Sequence, residues 1–136
     1  RAGYDRGEPS RGCGTNLVLR KEELGELLET VGLDDHLEGA GLVVTGEGCL
    51  DYQTVYSKAP IGVAARAKER SIPVIAISGS LGERYGEVHH HGIDAAMAIT
   101  SFPMTLDEAS ENAAALITGA TEEAIRFMRA GARVFS

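Results

Sequence analysis

Residues 42–77 decide the fold, and they read LVVTGEGCLDYQTVYSKAPIGVAARAKERSIPVIAI. The runs at residues 42–45 and 72–77 are short and apolar, which is typical of buried strands. The alanine-rich segment between them predicts a helix that starts near Pro60, because proline is tolerated in the first turn. Strand, helix and strand in this order predict a parallel sheet with a right-handed crossover.

The carboxy-terminal part of the chain extends this pattern. Residues 95–100 form a weaker apolar run, which predicts a third strand. TLDE at residues 105–108 is a capping box, in which the Thr oxygen accepts the amide three residues on and the Glu reaches back. It predicts a long helix with an apolar, alanine-rich core stripe, ending near Gly131.

We expect the α/β domain to occupy residues 20–136 and residues 1–19 to form a loop or loosely ordered lead-in. The fold class is a small three-layer parallel sheet with helices on both faces, Rossmann-like. Three strands are few for this architecture, so the sheet looks incomplete. Uncovered edges and apolar faces invite pairing, and we expect a homodimer.

The composition excludes several classes of function. A formal net charge of -7 argues against nucleic-acid or anionic-membrane binding, since both need a basic face. No apolar run approaches the roughly 18 residues of a membrane span, and residues 1–20 show no signal-peptide pattern. Cys13 and Cys49 form no paired motif and are interpreted as ordinary thiols of a cytoplasmic protein.

The segment after the first strand carries the first group of candidate site residues. It reads TGEGCLDYQT at residues 45–54, with Lys58 just before the helix. Glycines allow close backbone approach, and Glu47 and Asp51 could hold Mg²⁺ or accept a hydroxyl proton. Lys58 beside a helix N-terminus could bind an anion. Taken singly, Glu47 and Asp51 are more typical of a solvated turn and Lys58 of a helix start at the surface. Their joint placement with the glycines at a strand end favours a site.

The segment after the second strand, SGSLG at residues 78–82, carries the second group. Small residues and hydroxyls after a strand can form a nest of N–H groups for phosphate or carboxylate, or simply a tight turn into a helix. The triplet His89–His91 is not expected to hold a metal, because adjacent side chains cannot converge on one ion.

Residues 45–64 resemble the carboxy-terminal half of bacterial glycerate kinases. That family reads approximately T-G-E-G-R-[LI]-D-x-Q-[ST]-x-x-G-K-x-P-x-G-V-A, and the similarity continues through PVIAISGS, GIDA and TLDEA over about residues 22–130. Cys49 stands where the family usually has arginine, and Ser57 where it usually has glycine. Sequence motifs of the family's amino-terminal region do not occur in these residues.

The resemblance implies phosphoryl transfer to a hydroxyl of D-glycerate that depends on ATP and Mg²⁺, with this chain alone partial or inactive. The implied catalytic residues are Glu47, Asp51 and Lys58, with both carboxylates as candidate magnesium ligands. The implied glycerate- or phosphate-binding residues are Thr45, Gly46, Gly48, Gln53, Ser78, Gly79 and Ser80. The alternative is a non-catalytic α/β domain that binds a small anion or oligomerises.

Overall fold

The structure is a computed structural model that describes residues 20–56 and 58–136, apart from the side chain of Lys21. The helices are α1 (Lys21–Thr30), α2 (Leu33–Leu37), α3 (Ala59–Lys68), α4 (Leu106–Glu111) and α5 (Ala113–Val134). The strands are β1 (Val43–Thr45), β2 (Cys49–Leu50), β3 (Val74–Ser78), β4 (Ser80–Leu81) and β5 (Ala95–Ala98). Two 3₁₀ helices span Tyr52–Val55 and Tyr85–His91. The predicted lead-in over residues 1–19 lies outside the described residues.

The main sheet has the strand order β1-β3-β5, and both pairs are parallel. Val43 lies opposite Val74 in the first pair, and Ile75 lies opposite Ala95 in the second. The connection from β1 to β3 passes through α3, so the predicted strand-helix-strand unit and the parallel α/β fold class are confirmed. Because the strands are parallel, their carboxyl ends lie at one edge, where open α/β sheets bind ligands.

The hydrophobic core lies between the sheet and α3. Val74 and Ala76 of the central strand point into it and are buried, as are Ala64 and Ala67 of α3. Small alanines let the helix lie close to the sheet, and each larger side chain buried here contributes about 1.5–3 kcal/mol. Helix α1 packs on the side of α3 that carries Gly62. A Cβ atom on Gly62 would lie 2.6 Å from Leu24 Cδ2, so this glycine lets α1 pack closely on α3.

Helix α5 lies on the opposite face of the sheet and covers it less completely. The buried residues of this helix are Ala120 and Ala124, so the expectation of a core stripe along its whole length is only partly met. Ile75 and Ile77 of the central strand face this side and remain partly exposed. Helices therefore lie on both faces, but only the α3 face has a filled core.

The last predicted helix differs from the structure in two ways. The capping box at Thr105 and Glu108 is present, with the Glu108 amide donating to Thr105 Oγ1 at 3.2 Å. The helix nevertheless breaks at Asn112, whose side-chain amide donates to the Glu108 carbonyl at 2.8 Å and competes with the helical hydrogen bonds. Gly131 does not end α5, which continues to Val134, because an interior glycine costs a helix only about 1 kcal/mol.

The connections contain short elements that the local pattern did not predict. β2, β4 and the two 3₁₀ helices form where segments distant in sequence meet, so local periodicity does not indicate them. In the part of the chain that the structure describes, no helix is both long and apolar enough to cross a membrane.

Candidate active site at the carboxyl edge of the sheet

The segments that follow β1 and β3 run side by side beyond the sheet edge. β2 pairs with β4 in parallel, and the Gly79 and Ser80 amides donate to the Glu47 and Gly48 carbonyls at 3.0 Å each. A Cβ on Gly46 would lie 2.0 Å from the Ile77 carbonyl oxygen, and one on Gly79 would lie 2.5 Å from that of Gly48. These two glycines therefore allow the segments to approach each other, and because both also line the cavity described below, their approach to a ligand stays a prediction.

Lys58 is buried between two carboxylates. Its Nζ lies 3.8 Å from Glu47 Oε2 and 3.7 Å from Asp51 Oδ1, and its side chain is only 4% exposed. Within the described residues this Nζ has no hydrogen-bond partner. The lysine charge is thus compensated by two negative charges, and the cluster carries a net negative charge when all three groups are ionised.

Thr54 fixes the relative positions of the two carboxylates. Its buried hydroxyl donates a hydrogen bond to Glu47 Oε1 and accepts one from the Asp51 backbone amide at 3.1 Å. Asp51 Oδ1 in turn accepts the Gln53 amide at 2.8 Å, which caps the first 3₁₀ helix. The spacing D-x-x-T is the sequence signal for this cap.

The environment raises the pKa of the Glu47 carboxyl. Burial is the main cause, since it disfavours the charged form, and the Asp51 charge acts in the same direction. The hydrogen bond from Thr54 and the charge of Lys58 oppose the rise without cancelling it. A carboxylate with a raised pKa that is held in one orientation is suited to accept a proton from a hydroxyl.

Glu47 also faces a cavity of about 660 Å³ at this edge of the sheet. One wall consists of Gly46, Gly48, Ser78, Gly79 and Ser80, and the other is largely apolar and extends from Ile99 to Ile117. Glu47 is the charged side chain among the described residues that line it. The hydroxyl of Ser78, at the end of β3, is buried in the lining and has no hydrogen-bond partner among the described residues.

The donor set fits a magnesium ion only in part. Mg²⁺ is usually held by one or two carboxylates together with substrate phosphates. Glu47 lines the cavity and could supply one oxygen, whereas Asp51 is buried behind it and already accepts a backbone hydrogen bond. No group of three or more potential ligand side chains occurs in residues 20–56 and 58–136.

The structure brings most of the candidate residues to one place. Glu47, Asp51 and Lys58 form the charged cluster, and the five small residues named above line the cavity. Thr45 and Gln53 do not line this cavity, and Gln53 instead donates from its side chain to Tyr52 Oη at 3.3 Å.

Two parts of the site were missed from the sequence. They are Thr54 and the segment after β5, which includes Phe102 and Met104 in the cavity wall. The general rule that strand ends carry sites could have identified this third segment.

Two further expectations concern cysteine and histidine. Cys49 is disulfide-bonded in the structure, so the expectation of an ordinary thiol is wrong for this residue. Disulfide formation depends on Cα atoms meeting in space, which residue spacing does not indicate. The side chains of His89, His90 and His91 are exposed on the second 3₁₀ helix, and His89 Nδ1 lies 2.8 Å from the Ile93 carbonyl oxygen. Consecutive positions on such a helix point about 120° apart, so the three imidazole rings point in different directions.

Comparisons with known proteins show which family this chain resembles. The model of the glycerate kinase family matches residues 16–129. The glycerate kinase of Bacillus cereus is 55% identical over 83 residues, which are 61% of this chain and 22% of that protein. The glycerate kinase of Halalkalibacterium halodurans is 47% identical over 104 residues, which are 76% of this chain and 25% of that protein.

A solved structure from Salmonella typhimurium LT2 that carries the name glycerate kinase 2 also matches. It superposes with a TM-score of 0.61 at 33% identity, over 82% of this chain and 28% of that one. This chain therefore spans about a quarter of the length of the relatives that it matches. With the family pattern covering most of its residues, the chain belongs to the glycerate kinase family.

Proposed function

We propose that this chain supplies part of the active site of an enzyme that transfers a phosphoryl group from ATP to a hydroxyl of D-glycerate. The observation that carries the proposal is Glu47, a carboxylate with a raised pKa held by Thr54 and Lys58 at the wall of the cavity. Family membership adds the reaction type. Phosphoryl transfer needs mainly positioning and charge compensation, and these residues are arranged for the positioning of the acceptor hydroxyl.

The three charged residues have different roles in this proposal. Glu47 accepts or orients the hydroxyl proton of glycerate, because it is the member of the cluster that faces the cavity. Lys58 stabilises the ionised form of Glu47 and keeps it in place. Asp51 is a positioning residue, since its buried side chain holds Lys58 and the 3₁₀ helix.

Magnesium and ATP enter the proposal through the family. As the alternative to its role as proton acceptor, Glu47 would hold a magnesium ion, with Asp51 behind it, and the ion would supply positive charge to the transferring phosphoryl group. Backbone groups of Gly48, Gly79 and Ser80 lie beside Glu47 along the cavity and would contact the ligand. The anionic ligand class is thus glycerate or the phosphate of the donor.

The relatives are about four times as long as the matched segment, so other parts of the enzyme must contribute to the reaction. We propose that this chain alone is inactive, because donor and acceptor must be held in line and it offers one wall. We also propose that the isolated chain forms a homodimer through its uncovered apolar surface and open sheet edges.

A chimera tests the catalytic proposal. The segment of the Bacillus cereus glycerate kinase that matches this chain is replaced by the corresponding residues of this chain, and turnover of ATP with D-glycerate is measured. We expect activity in the chimera and a loss of about 10²–10⁴-fold on Glu47→Gln, the range typical of a general base. Glu38→Gln is the matched control, because Glu38 is exposed at the end of α2.

The activities of the chimeras distinguish the catalytic proposal from the alternative of a non-catalytic domain. Equal activity of the Glu47→Gln and Glu38→Gln chimeras would show that Glu47 takes no part in the reaction. An inactive chimera that folds and still binds D-glycerate in a calorimetric titration would favour the non-catalytic, anion-binding domain.

A further inference from the structure

The cavity beside Glu47 has two walls of different chemical character. The polar wall consists of the segments that follow β1 and β3, and it carries the Glu47 carboxylate among small residues. The other wall includes the segment that follows β5, with the side chains of Ile99, Phe102 and Met104, and continues to Ala109 of α4. We call these four residues the apolar wall. A ligand that fills the cavity must therefore be polar on one side and apolar on the other.

Glycerate alone does not suit this cavity. The volume of about 660 Å³ lies in the range of about 300–1,000 Å³ that is usual for pockets that hold drug-sized ligands. Glycerate has three carbons, and each carries a hydroxyl or the carboxylate. Such a molecule can hydrogen-bond to the polar wall, but burying its polar groups against apolar side chains would be unfavourable. The apolar wall therefore fits a different ligand group.

The charge of the lining selects which part of a nucleotide donor could lie here. Glu47 is the charged side chain among the described residues of the lining, and Lys58 is buried between Glu47 and Asp51. Phosphate groups would thus meet repulsion without a compensating cation. The base of a nucleotide is uncharged and aromatic. Phe102, whose ring is 64% exposed, offers a surface of the kind on which bases stack.

We propose that the apolar wall binds the adenine ring of the phosphoryl donor, with Phe102 as the side chain that contacts the ring. The inference deepens the proposed function and rests on it, since that reaction supplies the nucleotide. The polar wall is then left for the acceptor hydroxyl at Glu47. One cavity thus holds parts of both donor and acceptor, as transfer between two bound molecules requires.

The first test is the binding of adenosine, which carries the base and no phosphate, followed by NMR titration of the chain. Phe102→Ala should weaken adenosine binding about 5-fold or more, whereas Phe102→Tyr, which keeps the ring, should stay within about 2-fold of the parent. Phe135→Ala is the matched control, because Phe135 is 89% exposed and does not line this cavity. Both alanine variants should melt within about 2 °C of the parent, since both side chains are exposed.

Charge provides a second readout. In the absence of a divalent metal ion, ADP should bind no more tightly than adenosine, because the described lining offers its phosphates no cation. ADP binding that is about 10-fold tighter than adenosine binding without metal would overturn the placement of the base. An adenosine affinity that Phe102→Ala leaves unchanged would do the same. If Phe102→Ala weakened the binding of D-glycerate instead, the apolar wall would belong to the acceptor, and the inference would fail.

Turnover of the Bacillus cereus chimera separates this inference from the proposed function. Phe102→Ala should raise KM for ATP about 5-fold or more and leave kcat within about 2-fold, whereas Glu47→Gln should lower kcat. An active chimera whose KM for ATP ignores Phe102→Ala would refute the base site and leave the reaction standing. An inactive chimera that binds adenosine through Phe102 would do the reverse. If the isolated chain bound adenosine and the chimera did not, the remainder of the enzyme would fill the cavity, and the inference would fail.

Discussion

Replacing Lys58 with methionine removes the positive charge that lies between Glu47 and Asp51 while keeping a side chain of similar length. At an effective dielectric constant of about 20, each of the two attractions at 3.7 and 3.8 Å is worth about 4 kcal/mol before desolvation is subtracted. Removing one partner of a buried ion pair typically costs about 3–5 kcal/mol, because the other charge stays buried. We therefore expect the Lys58→Met substitution to lower the free energy of unfolding by about 3–5 kcal/mol at pH 8.

The loss should be smaller near pH 5. The pKa of Glu47 is already raised, and removal of Lys58 raises it further, so Glu47 can take up a proton and relieve the repulsion with Asp51. The free energy of unfolding is measured by urea denaturation followed by circular dichroism. The melting temperature of the variant should fall by roughly 10 °C or more at pH 8.

Lys68→Met is the matched control. Lys68 Nζ contacts Asp94 Oδ2 at 2.6 Å, but the two side chains are 37% and 47% exposed. Exposed ion pairs contribute about 1 kcal/mol or less, since water already stabilises both charges. Two results would refute the burial of Lys58 between Glu47 and Asp51. One is equal destabilisation by Lys58→Met and Lys68→Met, and the other is an effect of Lys58→Met that does not depend on pH.

Three further predictions concern the same edge of the sheet, and a fourth concerns α5. Because the pKa of Glu47 is raised, this carboxyl keeps its proton to a higher pH in the folded state than in the unfolded state. Its contribution to the free energy of unfolding therefore falls as pH rises from the ordinary glutamate pKa to the raised pKa of the folded state. Urea denaturation across this window should show a smaller decline for Glu47→Gln, and an identical decline would contradict the burial of this carboxyl. Thr54→Val should raise the Glu47 pKa in an NMR titration, because the hydroxyl hydrogen bond lowers it, whereas Thr54→Ser should leave it near the parent value. Gly79→Ala should destabilise by about 1–3 kcal/mol, since its Cβ would lie 2.5 Å from a backbone oxygen. Gly119→Ala should stabilise by about 0.4–1 kcal/mol in the open interior of α5, and the same sign of change for both would show that the two segments are not packed as described.

The parallel sheet could be predicted because its signals are local. Short apolar runs on either side of a helix that starts at a proline leave few alternative topologies. The same local signals failed where tertiary contacts decide the conformation. The break at Asn112 coincides with a side-chain hydrogen bond to the Glu108 carbonyl, and β2 and β4 exist only because their segments meet.

The candidate site could be predicted as a set of residues but not as an arrangement. Lys58 was expected at a helix N-terminus and is the residue that precedes the first turn of α3, but its side chain lies between two carboxylates, which the sequence did not indicate. The glycines were expected to lie beside a ligand, and the sequence did not indicate that Gly46 and Gly79 also bring two segments together. For Lys58 the arrangement depends on how the turn between β1 and α3 folds back on itself, and for the glycines it depends on the path of a segment about 30 residues away in the chain.

The charge of this arrangement limits how a phosphoryl donor can be bound. Glu47 is the charged side chain that the described residues present to the cavity, and the one lysine nearby is already opposed by two carboxylates. A phosphate group approaching this wall would meet negative potential. Cys49 also stands at a position where the family usually has arginine, which removes a cation from the same segment. In the proposed phosphoryl transfer, the positive charge must therefore come from a metal ion or from the remaining three quarters of a glycerate kinase chain. Substitutions of cationic residues in that remainder should then weaken ATP binding by the chimera more than Lys58→Met does.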